Sequence, residues 1–252
     1  TATNSTGAGT AVITAAAGSL AAANYDFTNL VNGTLTINKA HLTVTANDAS
    51  KTYGSANPAL TATVSGFVNG QSLATSGVTG TGSATTTATN STGAGTAVIT
   101  AAAGSLAATN YDFTNLVNGT LTINKAHLTV TANDANKTYG SANPTLTATV
   151  SGFVNSETLG TSGVTGSGSA TTTATTGTGV GTAVITAGTG NLAASNYDFT
   201  NLVDGTLTIN KAHLTVTAND ASKTYGAANP TLTTTVSGFV NSETLATSGV
   251  TG

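Results

Sequence analysis

The sequence predicts an all-β chain of small tandem domains. The stretch NYDFTNLV occurs three times, with its tyrosine at positions 25, 111 and 197, so the chain repeats every 86 residues without insertion or deletion. Segments such as TLTI and HLTVTA alternate apolar residues with threonine, which is the period-two pattern of half-buried strands. β-Branched residues are abundant, whereas the helix formers Glu, Lys, Gln and Met are scarce or absent.

A tight hairpin turn is predicted in each copy, between the strands YDFTNLV and TLTI. The residues at this point are Asn32-Gly33, Asn118-Gly119 and Asp204-Gly205. Asn-Gly and Asp-Gly tolerate the positive φ angles of a two-residue hairpin, so the exchange of Asn for Asp would preserve the turn. The two strands are therefore expected to pair with each other.

The same alternation predicts further strands. They lie at residues 10–14, 25–31, 34–37, 41–45 and 60–68, the last with a bend at Gly66, and a short one near Val78. Residues 47–58 contain Tyr53-Gly54 and Asn57-Pro58 and are predicted as a loop, because proline cannot join a central ladder. Residues 83–89 are predicted as a polar connection.

Domain boundaries are predicted at Lys39-Ala40 and its later copies. These residues join two predicted strands without a turn former, so one strand should close a domain and the next should open the following one. The predicted domains are residues 41–126 and 127–212 as complete repeats, 1–40 as the C-terminal half of a repeat, and 213–252 as the N-terminal half. With such short linkers the domains are expected to form an extended rod, each adding about 35–45 Å.

Both ends of the chain fall inside a repeat under this division. Residues 213–252 would present Leu214, Val216 and Phe239 without their partners, and unpaired strand edges recruit other strands. Two arrangements are expected: the natural chain continues on both sides, or residues 1–40 of one chain complete the 213–252 half of another, head to tail. The first is favoured because no export signal opens the chain.

Composition argues against several classes of function. Six lysines, no arginine and nine acidic residues give a net charge of −3, which does not provide the basic surface that nucleic acid requires. No apolar run approaches the length of a membrane span. The lack of cysteine excludes disulfides and thiol chemistry.

Two longer stretches of the chain resemble a known repeat. LTVTANDASKTYGSANPALTATVSGFVNG followed by NYDFTNLVNGTLTINKA resembles the MBG/YDG-type repeat of large bacterial surface proteins, which often carry a filamentous-haemagglutinin-like secretion domain. The resemblance covers every repeat. It implies a secreted, cell-surface protein of the adhesin type with tandem β-domains, and it provides no catalytic residues.

Within each domain an immunoglobulin-like β-sandwich is expected, with a flat β-grasp-like module as the alternative. The expected core consists of the Leu and Val of HLTV, the Tyr of KTYG, the Phe of VSGF, and the Tyr and Phe of NYDF. These are the only bulky aromatic residues in a repeat rich in Thr and Ala, and each can bury far more area than its neighbours.

Histidine and aspartate recur once per repeat at positions that could hold a metal. The histidines are His41, His127 and His213, and the aspartates are Asp48, Asp134 and Asp220. Each histidine begins a strand with no Cys or acid pair near it, so a surface or edge role is predicted. A calcium site would need several clustered oxygens, so each aspartate is predicted to cap its own backbone in a turn.

Two further readings of the polar residues are not favoured. Lys39 and Lys51 could form isopeptide bonds with Asp26 and Asp48, but the spacing does not indicate this, and ordinary solvated lysines are expected. The threonine rows could suggest an ice-binding face. Such a face needs many equal rungs at strand spacing, and alternating threonine is also typical of a solvated sheet.

No enzyme is expected, because a catalytic site needs unlike groups in one pocket and every titratable residue type here recurs in each copy. No catalytic, cofactor-binding or metal-binding residues and no cofactor are therefore predicted. The expected partners are neighbouring repeats of the same or an adjacent chain, and host or matrix glycans or proteins. Two functions remain open: the repeats form the stalk or fibre of an extracellular adhesin, or they bind a glycan or a surface protein themselves. The close similarity of the copies favours the stalk.

Overall fold

A computed structural model describes residues 1–251, which contain eighteen β-strands and no helix. The all-β prediction is therefore confirmed. The chain divides into two compact units, the first formed by Thr1–Lys125 and the second beginning at Ala126, and each is described by itself.

The first unit contains nine strands. They are β1 (Gly9–Ile13), β2 (Gly33–Ile37), β3 (Ala40–Ala46), β4 (Ala49–Thr52), β5 (Ala62–Ser65), β6 (Ser83–Thr85), β7 (Gly95–Ala102), β8 (Tyr111–Val117) and β9 (Gly119–Asn124). β1 and β2 form a two-stranded sheet. The others form a three-stranded sheet in the order β5-β3-β8 and a four-stranded sheet in the order β4-β9-β7-β6.

The second unit contains the other nine strands. They are β10 (Ala126–Ala132), β11 (Ala135–Thr138), β12 (Ala148–Ser151), β13 (Ser169–Thr171), β14 (Gly181–Gly188), β15 (Tyr197–Val203), β16 (Gly205–Asn210), β17 (Thr215–Ala218) and β18 (Thr234–Ser237). The two larger sheets recur in the orders β12-β10-β15 and β11-β16-β14-β13, and β17 pairs with β18.

Each larger sheet contains one parallel pair, and both pairs belong to the same two chain segments. β3 lies parallel to β8, and β4, which follows β3, lies parallel to β9, which follows β8. Residues 40–52 and 111–124 therefore run side by side through both sheets. The second unit repeats this arrangement with β10 beside β15 and β11 beside β16. The first and last strands of a complete repeat thus hold each other.

The predicted hairpin between YDFTNLV and TLTI is wrong. β8 and β9 are joined by Asn118 alone but lie in different sheets, and β9 pairs with β4 and β7. Gly119 does not have a positive φ. A Cβ atom built on it would lie 2.5 Å from the carbonyl oxygen of Ala46. Glycine is required here because two chain segments cross closely, and not because of turn geometry.

The residue before this glycine accepts a hydrogen bond from a neighbouring strand. Asn118 Oδ1 accepts from the backbone N–H of Ala101 at 3.0 Å, and Asp204 Oδ1 accepts from Ala187 at 2.8 Å. An amide oxygen and a carboxylate oxygen serve equally as acceptors. The exchange of Asn for Asp between copies therefore preserves a long-range contact.

Two predicted connections contain strands. β4 lies inside residues 47–58, and β6 lies inside residues 83–89. Their sequences, ASKT and SAT, show no alternation of large apolar residues. Each is an edge strand that forms by pairing with β9 or β7, and strand propensity does not reveal such pairing. β5 is shorter than predicted and ends before Gly66, whose φ is 92°.

Most of the predicted core is buried. Leu42 and Val44 of β3 are fully buried, and the ring of Tyr111 packs edge-on against that of Phe67 with 5.8 Å between centroids. Phe67, Phe113 and Tyr139 are only half-buried. The prediction omitted Ile99, Leu121 and Ile123 of β7 and β9, which are buried beneath the four-stranded sheet. The immunoglobulin-like detail, its β-grasp-like alternative and the domain boundaries stay predictions.

The half-repeats form two strands each. Residues 25–31 were predicted as a strand and form none, although the identical sequence forms β8 and β15. The partner of β8 is β3, and residues 1–40 contain no copy of β3. Tyr25 is consequently 81% exposed, whereas Tyr111 is 2% exposed.

Gly119→Ala should destabilise the repeat of residues 41–126 by about 1–3 kcal/mol, because the methyl group forces the crossing segments apart. Gly33→Ala is the matched control. A Cβ atom at Gly33 meets only the side chain of Ile13, at 3.5 Å. Urea unfolding of the two variants measures the difference, and equal losses of stability would contradict the crossing as the reason for glycine.

Candidate functional site

Each complete repeat carries a His–Asp–Thr cluster on its three-stranded sheet. His41 Nδ1 lies 2.7 Å from Asp112 Oδ1, and Thr114 Oγ1 donates to the same oxygen at 3.0 Å. His127, Asp198 and Thr200 repeat this cluster, with 2.6 Å between the histidine and the aspartate. The parallel pairing of the two segments brings the histidine beside the aspartate, since His41 is in register with Asp112. The predicted surface location of the histidine is confirmed, and its acidic neighbour was missed.

The cluster stabilises the ionised aspartates. The hydrogen bond from His41, with a smaller one from Thr114, lowers the pKa of Asp112 although burial opposes the change. At Asp198 burial is the largest influence and raises the pKa, but the bonds from His127 and Thr200 together outweigh it and lower the pKa. Both carboxylates therefore remain charged acceptors that hold Nδ1 of the imidazole.

The arrangement of His41, Asp112 and Thr114 differs from that of a nucleophilic catalytic triad. In a hydrolase triad the histidine accepts the proton of the hydroxyl group, and the aspartate orients the histidine from its other nitrogen. Here the Thr114 hydroxyl donates to Asp112, and Nδ1 of His41 faces the same carboxylate. The His41 side chain is 64% exposed. The arrangement therefore fixes the orientation of an exposed imidazole.

A buried lysine forms the second cluster. The prediction of a solvated side chain is wrong for Lys51, whereas Lys39 is exposed as predicted. Lys51 and Lys137 are 7% and 6% exposed. Lys137 Nζ donates to the carbonyl oxygens of Ser141 and Thr175 and to Asn143 Oδ1, the last at 2.8 Å. Asn143 Nδ2 donates to the carbonyl oxygen of Ala174 at 2.6 Å. Lysine and asparagine thus tie the loop after Tyr139 to the chain that follows β13.

This lysine cluster explains why KTYG and ANP occur together in each repeat. The ammonium group satisfies inward-facing carbonyl oxygens, which would otherwise be buried without a donor. The oxygens that the Lys137 ammonium group contacts belong to the backbone and to an amide. In the first complete repeat Asp48, which was considered as an isopeptide partner of Lys51, accepts a hydrogen bond from the backbone N–H of Thr120. In the 213–251 half-repeat Lys223 is exposed and reaches only the carbonyl oxygen of Ala227, at 3.4 Å.

Asp48 and Asp134 do not cap their own turn as predicted. Asp48 Oδ1 accepts from the backbone N–H of Thr120, and Asp134 Oδ1 accepts from that of Thr206, each at 2.7 Å. The aspartate follows β3 or β10 at the point where its segment crosses between the sheets. It holds the start of β9 or β16, so its role is to stabilise the crossing.

Three further features considered from the sequence are a metal site, a membrane span and a face of exposed threonines, and the structure describes residues 1–251. No three His, Asp or Glu side chains in this range gather closely enough to hold a metal ion. No helix there is long and apolar enough to cross a membrane. The outer face of the four-stranded sheet carries exposed Thr96, Val98, Thr120 and Thr122, with Thr96 opposite Thr122 and Val98 opposite Thr120.

The His–Asp pair was missed because its members lie 71 residues apart. Both recur with the period of the repeat, but periodicity does not show which residues share a ladder. The contact between His41 and Asp112 can be predicted only when β3 and β8 are known to be parallel and in register.

Lys137→Met should destabilise the repeat of residues 127–212 by about 1–3 kcal/mol, because it leaves buried carbonyl oxygens without a donor. Lys223→Met removes the equivalent lysine where it is exposed, and should change stability by no more than about 0.5 kcal/mol. Urea unfolding of both variants gives the comparison. A Lys137→Met chain as stable as Lys223→Met would show that the lysine cluster does not hold the loops.

Comparison with known families agrees with this architecture. The MBG domain (YGX type) matches residues 42–122, 128–208 and 214–252. A Tyr-Gly-X tripeptide occurs in each matched stretch, beginning at Tyr53, Tyr139 and Tyr225. No curated protein sequence matches the chain. MBG repeats are typical of surface proteins. Because the three matches cover most of its length, the chain belongs to the family of MBG domains of the YGX type.

Proposed function

We propose that this chain is a structural stalk or fibre segment of an extracellular bacterial adhesin. In this role the repeats project a binding tip from the cell surface, or form a surface fibre, and take part in cell adhesion and biofilm formation. They transmit tension and catalyse no reaction. Neighbouring repeats are their principal partners.

The observation that carries this proposal is the parallel pairing of the first and last segments of a repeat. In the repeat of residues 127–212 the chain enters through β10 and leaves through β16. β10 pairs with β15 through five residue pairs in parallel register, and β11 pairs with β16 through four. The entering and leaving segments thus share a ladder that spans both sheets.

Tension on such a repeat pulls the two segments in opposite directions along their length. The hydrogen bonds of a parallel ladder are then loaded together, in shear. In an antiparallel hairpin pulled at its open end, the bonds are loaded one at a time and break in sequence. The geometry of the MBG repeat therefore supports a load-bearing role.

The likeness of the repeats also supports a stalk. The His–Asp contact measures 2.7 Å in one complete repeat and 2.6 Å in the next, and the bond from the crossing aspartate measures 2.7 Å in both. These recurring polar residues are engaged in contacts within their own repeat. A spacer that grows by duplication needs these contacts and no others.

The second candidate function is that the repeats bind a glycan or a surface protein directly. The exposed His41 and His127, each oriented by an aspartate, favour it because they present the same polar group once per repeat. Binding to a glycan array with one equivalent per complete repeat would support this candidate over the stalk.

Force spectroscopy tests the load-bearing role. The chain contains no cysteine, so introduced cysteines provide unique attachment points. A chain pulled through Lys125→Cys and Lys211→Cys loads the parallel ladder in shear. The repeat should open in one step to an extended length of about 280–310 Å, set by its 86 residues. It should also resist a higher force than the control described next.

The control is pulled through Thr182→Cys and Asn210→Cys. These residues lie at the same end of the antiparallel pair of β14 and β16, where Gly181 is opposite Ile209. Force applied there unzips the pair. An opening force through Lys125 and Lys211 that is equal to or lower than this unzipping force would contradict the proposal.

A further inference from the structure

An apolar groove of about 260 Å³ runs along β5 in the first complete repeat. Residues 62–64 of β5 line it together with Leu73 and Leu106, and the rest of its lining is threonine and glycine. Successive side chains of a strand point to opposite faces, so a groove lined by three successive residues lies along the edge of β5 and not on one face. This β5 groove contains no charged side chain and suits an aliphatic one.

The second complete repeat carries the same groove-lining residues 86 positions later. They are Ala148, Val150, Leu159 and Leu192. The backbone around the groove also repeats, because a Cβ atom built on Gly82 or on Gly168 would lie 3.2 Å from the first alanine of β5 or of β12. Leu73 and Leu159 are each 48% exposed. Each complete repeat therefore has the residues and the backbone of one such groove.

The groove lies at an open edge of the three-stranded sheet. β5 pairs with β3 on one side, and within residues 1–251 no strand pairs with it on the other. β12 has the same position beside β10. In an edge strand every second residue turns its N–H and C=O groups away from the partner strand. Another strand can therefore pair with β5 while one of its side chains enters the groove.

The opposite edge of the same sheet is β8, which carries an exposed aliphatic side chain. Residues 114–117 are exposed in succession, and Leu116 and its copy Leu202 are 48% and 46% exposed. The register of β8 against β3 shifts once, and residues 115–117 then pair regularly. Leu116 is opposite Val44 in this register, so the two side chains share one face of the sheet.

The edges of the four-stranded sheet are protected, unlike these two. Very short strands and inward-pointing charged residues both discourage pairing between molecules. β6 and β13 have three residues each, and β4 and β11 contain the buried Lys51 and Lys137. β5 contains no charged residue, and the one charge of β8, Asp112, is held by His41. The three-stranded sheet therefore leaves both of its edges open to another strand.

We propose that β8 of one chain pairs with β5 of a second copy of this chain and places Leu116 in the β5 groove. β5 is antiparallel to β3, and β8 is parallel to β3. Two copies that run in the same direction therefore join β8 and β5 as an antiparallel pair, and the sheet continues from one chain into the next. Val64 is opposite Val44, as Leu116 is, so Leu116 arrives on the face where Val64 lines the groove.

A second copy is the partner that the repeats favour. Each complete repeat provides one groove and one β8 edge, and both recur after 86 residues. Two copies of one chain have equal spacings between their repeats, so a contact at one repeat brings the next groove and the next edge together. Linked contacts of this kind strengthen each other. The edge and the groove are different surfaces, so further copies can add on either side. This inference goes beyond the stalk proposal and does not depend on it.

Sedimentation velocity of the full chain over a range of concentrations tests the contact. The weight-average sedimentation coefficient should rise with concentration. An edge variant, Leu116→Lys with Leu202→Lys, and a groove variant, Leu73→Lys with Leu159→Lys, should each move the midpoint to a concentration at least about tenfold higher, because an ammonium group would be buried in the contact. All four leucines are about half exposed, and a lysine stem covers similar apolar surface, so both variants stay folded.

Val98→Lys with Val184→Lys is the matched control. It adds the same two charges at valines of the four-stranded sheet that are 58% and 59% exposed. Its midpoint should equal that of the unsubstituted chain. A chain that stays monomeric at every concentration, or a control that weakens association as much as the edge variant does, would overturn the proposal.

Mixing the edge variant with the groove variant tests the pairing of the two surfaces. The edge variant keeps its grooves, and the groove variant keeps its β8 edges. At a concentration where each variant alone is monomeric, the mixture should form complexes of one chain of each kind that grow no further. A mixture that sediments as its separate components would contradict the assignment of β8 to the β5 groove.

Discussion

The parallel ladder between the first and last segments of a repeat is the constraint on which the rest of the fold depends. β8 forms beside β3, and the same eight residues at 24–31 form no strand where a copy of β3 is missing. Burial of Tyr111, the His41–Asp112 contact and the crossing at Gly119 all require this ladder. A local sequence of high strand propensity therefore folds only when a distant partner is present.

Sequence patterns predicted those strands that are determined by residues close together along the chain. The alternation in HLTVTA and TAVIT predicted β3 and β7, and the period of 86 residues predicted that the sheets would recur. Asn118-Gly119 misled the prediction, because a close crossing of two backbones favours glycine for a different reason than a tight turn does. The buried Lys137 was missed because the loop of Ser141 and Asn143 encloses it only together with Thr175, which lies 38 residues further along the chain.

The polar clusters and the ladder act together. Asp48 secures the crossing between the sheets, the His–Asp pair bridges β3 and β8 at one end of their ladder, and Lys51 fastens the loops beyond β4. A ladder reinforced in this way resists shear.

Hydrogen exchange of the NYDFTNLV segments in dilute solution tests the ladder most directly. The three copies can be distinguished because Ala23, Thr109 and Ser195 precede them. We expect the amides of residues 111–117 and 197–203 to be protected, while those of residues 25–31 exchange as fast as an unfolded chain. Equal protection of all three copies in the monomer would show that the strand forms without its parallel partner, and would contradict this account.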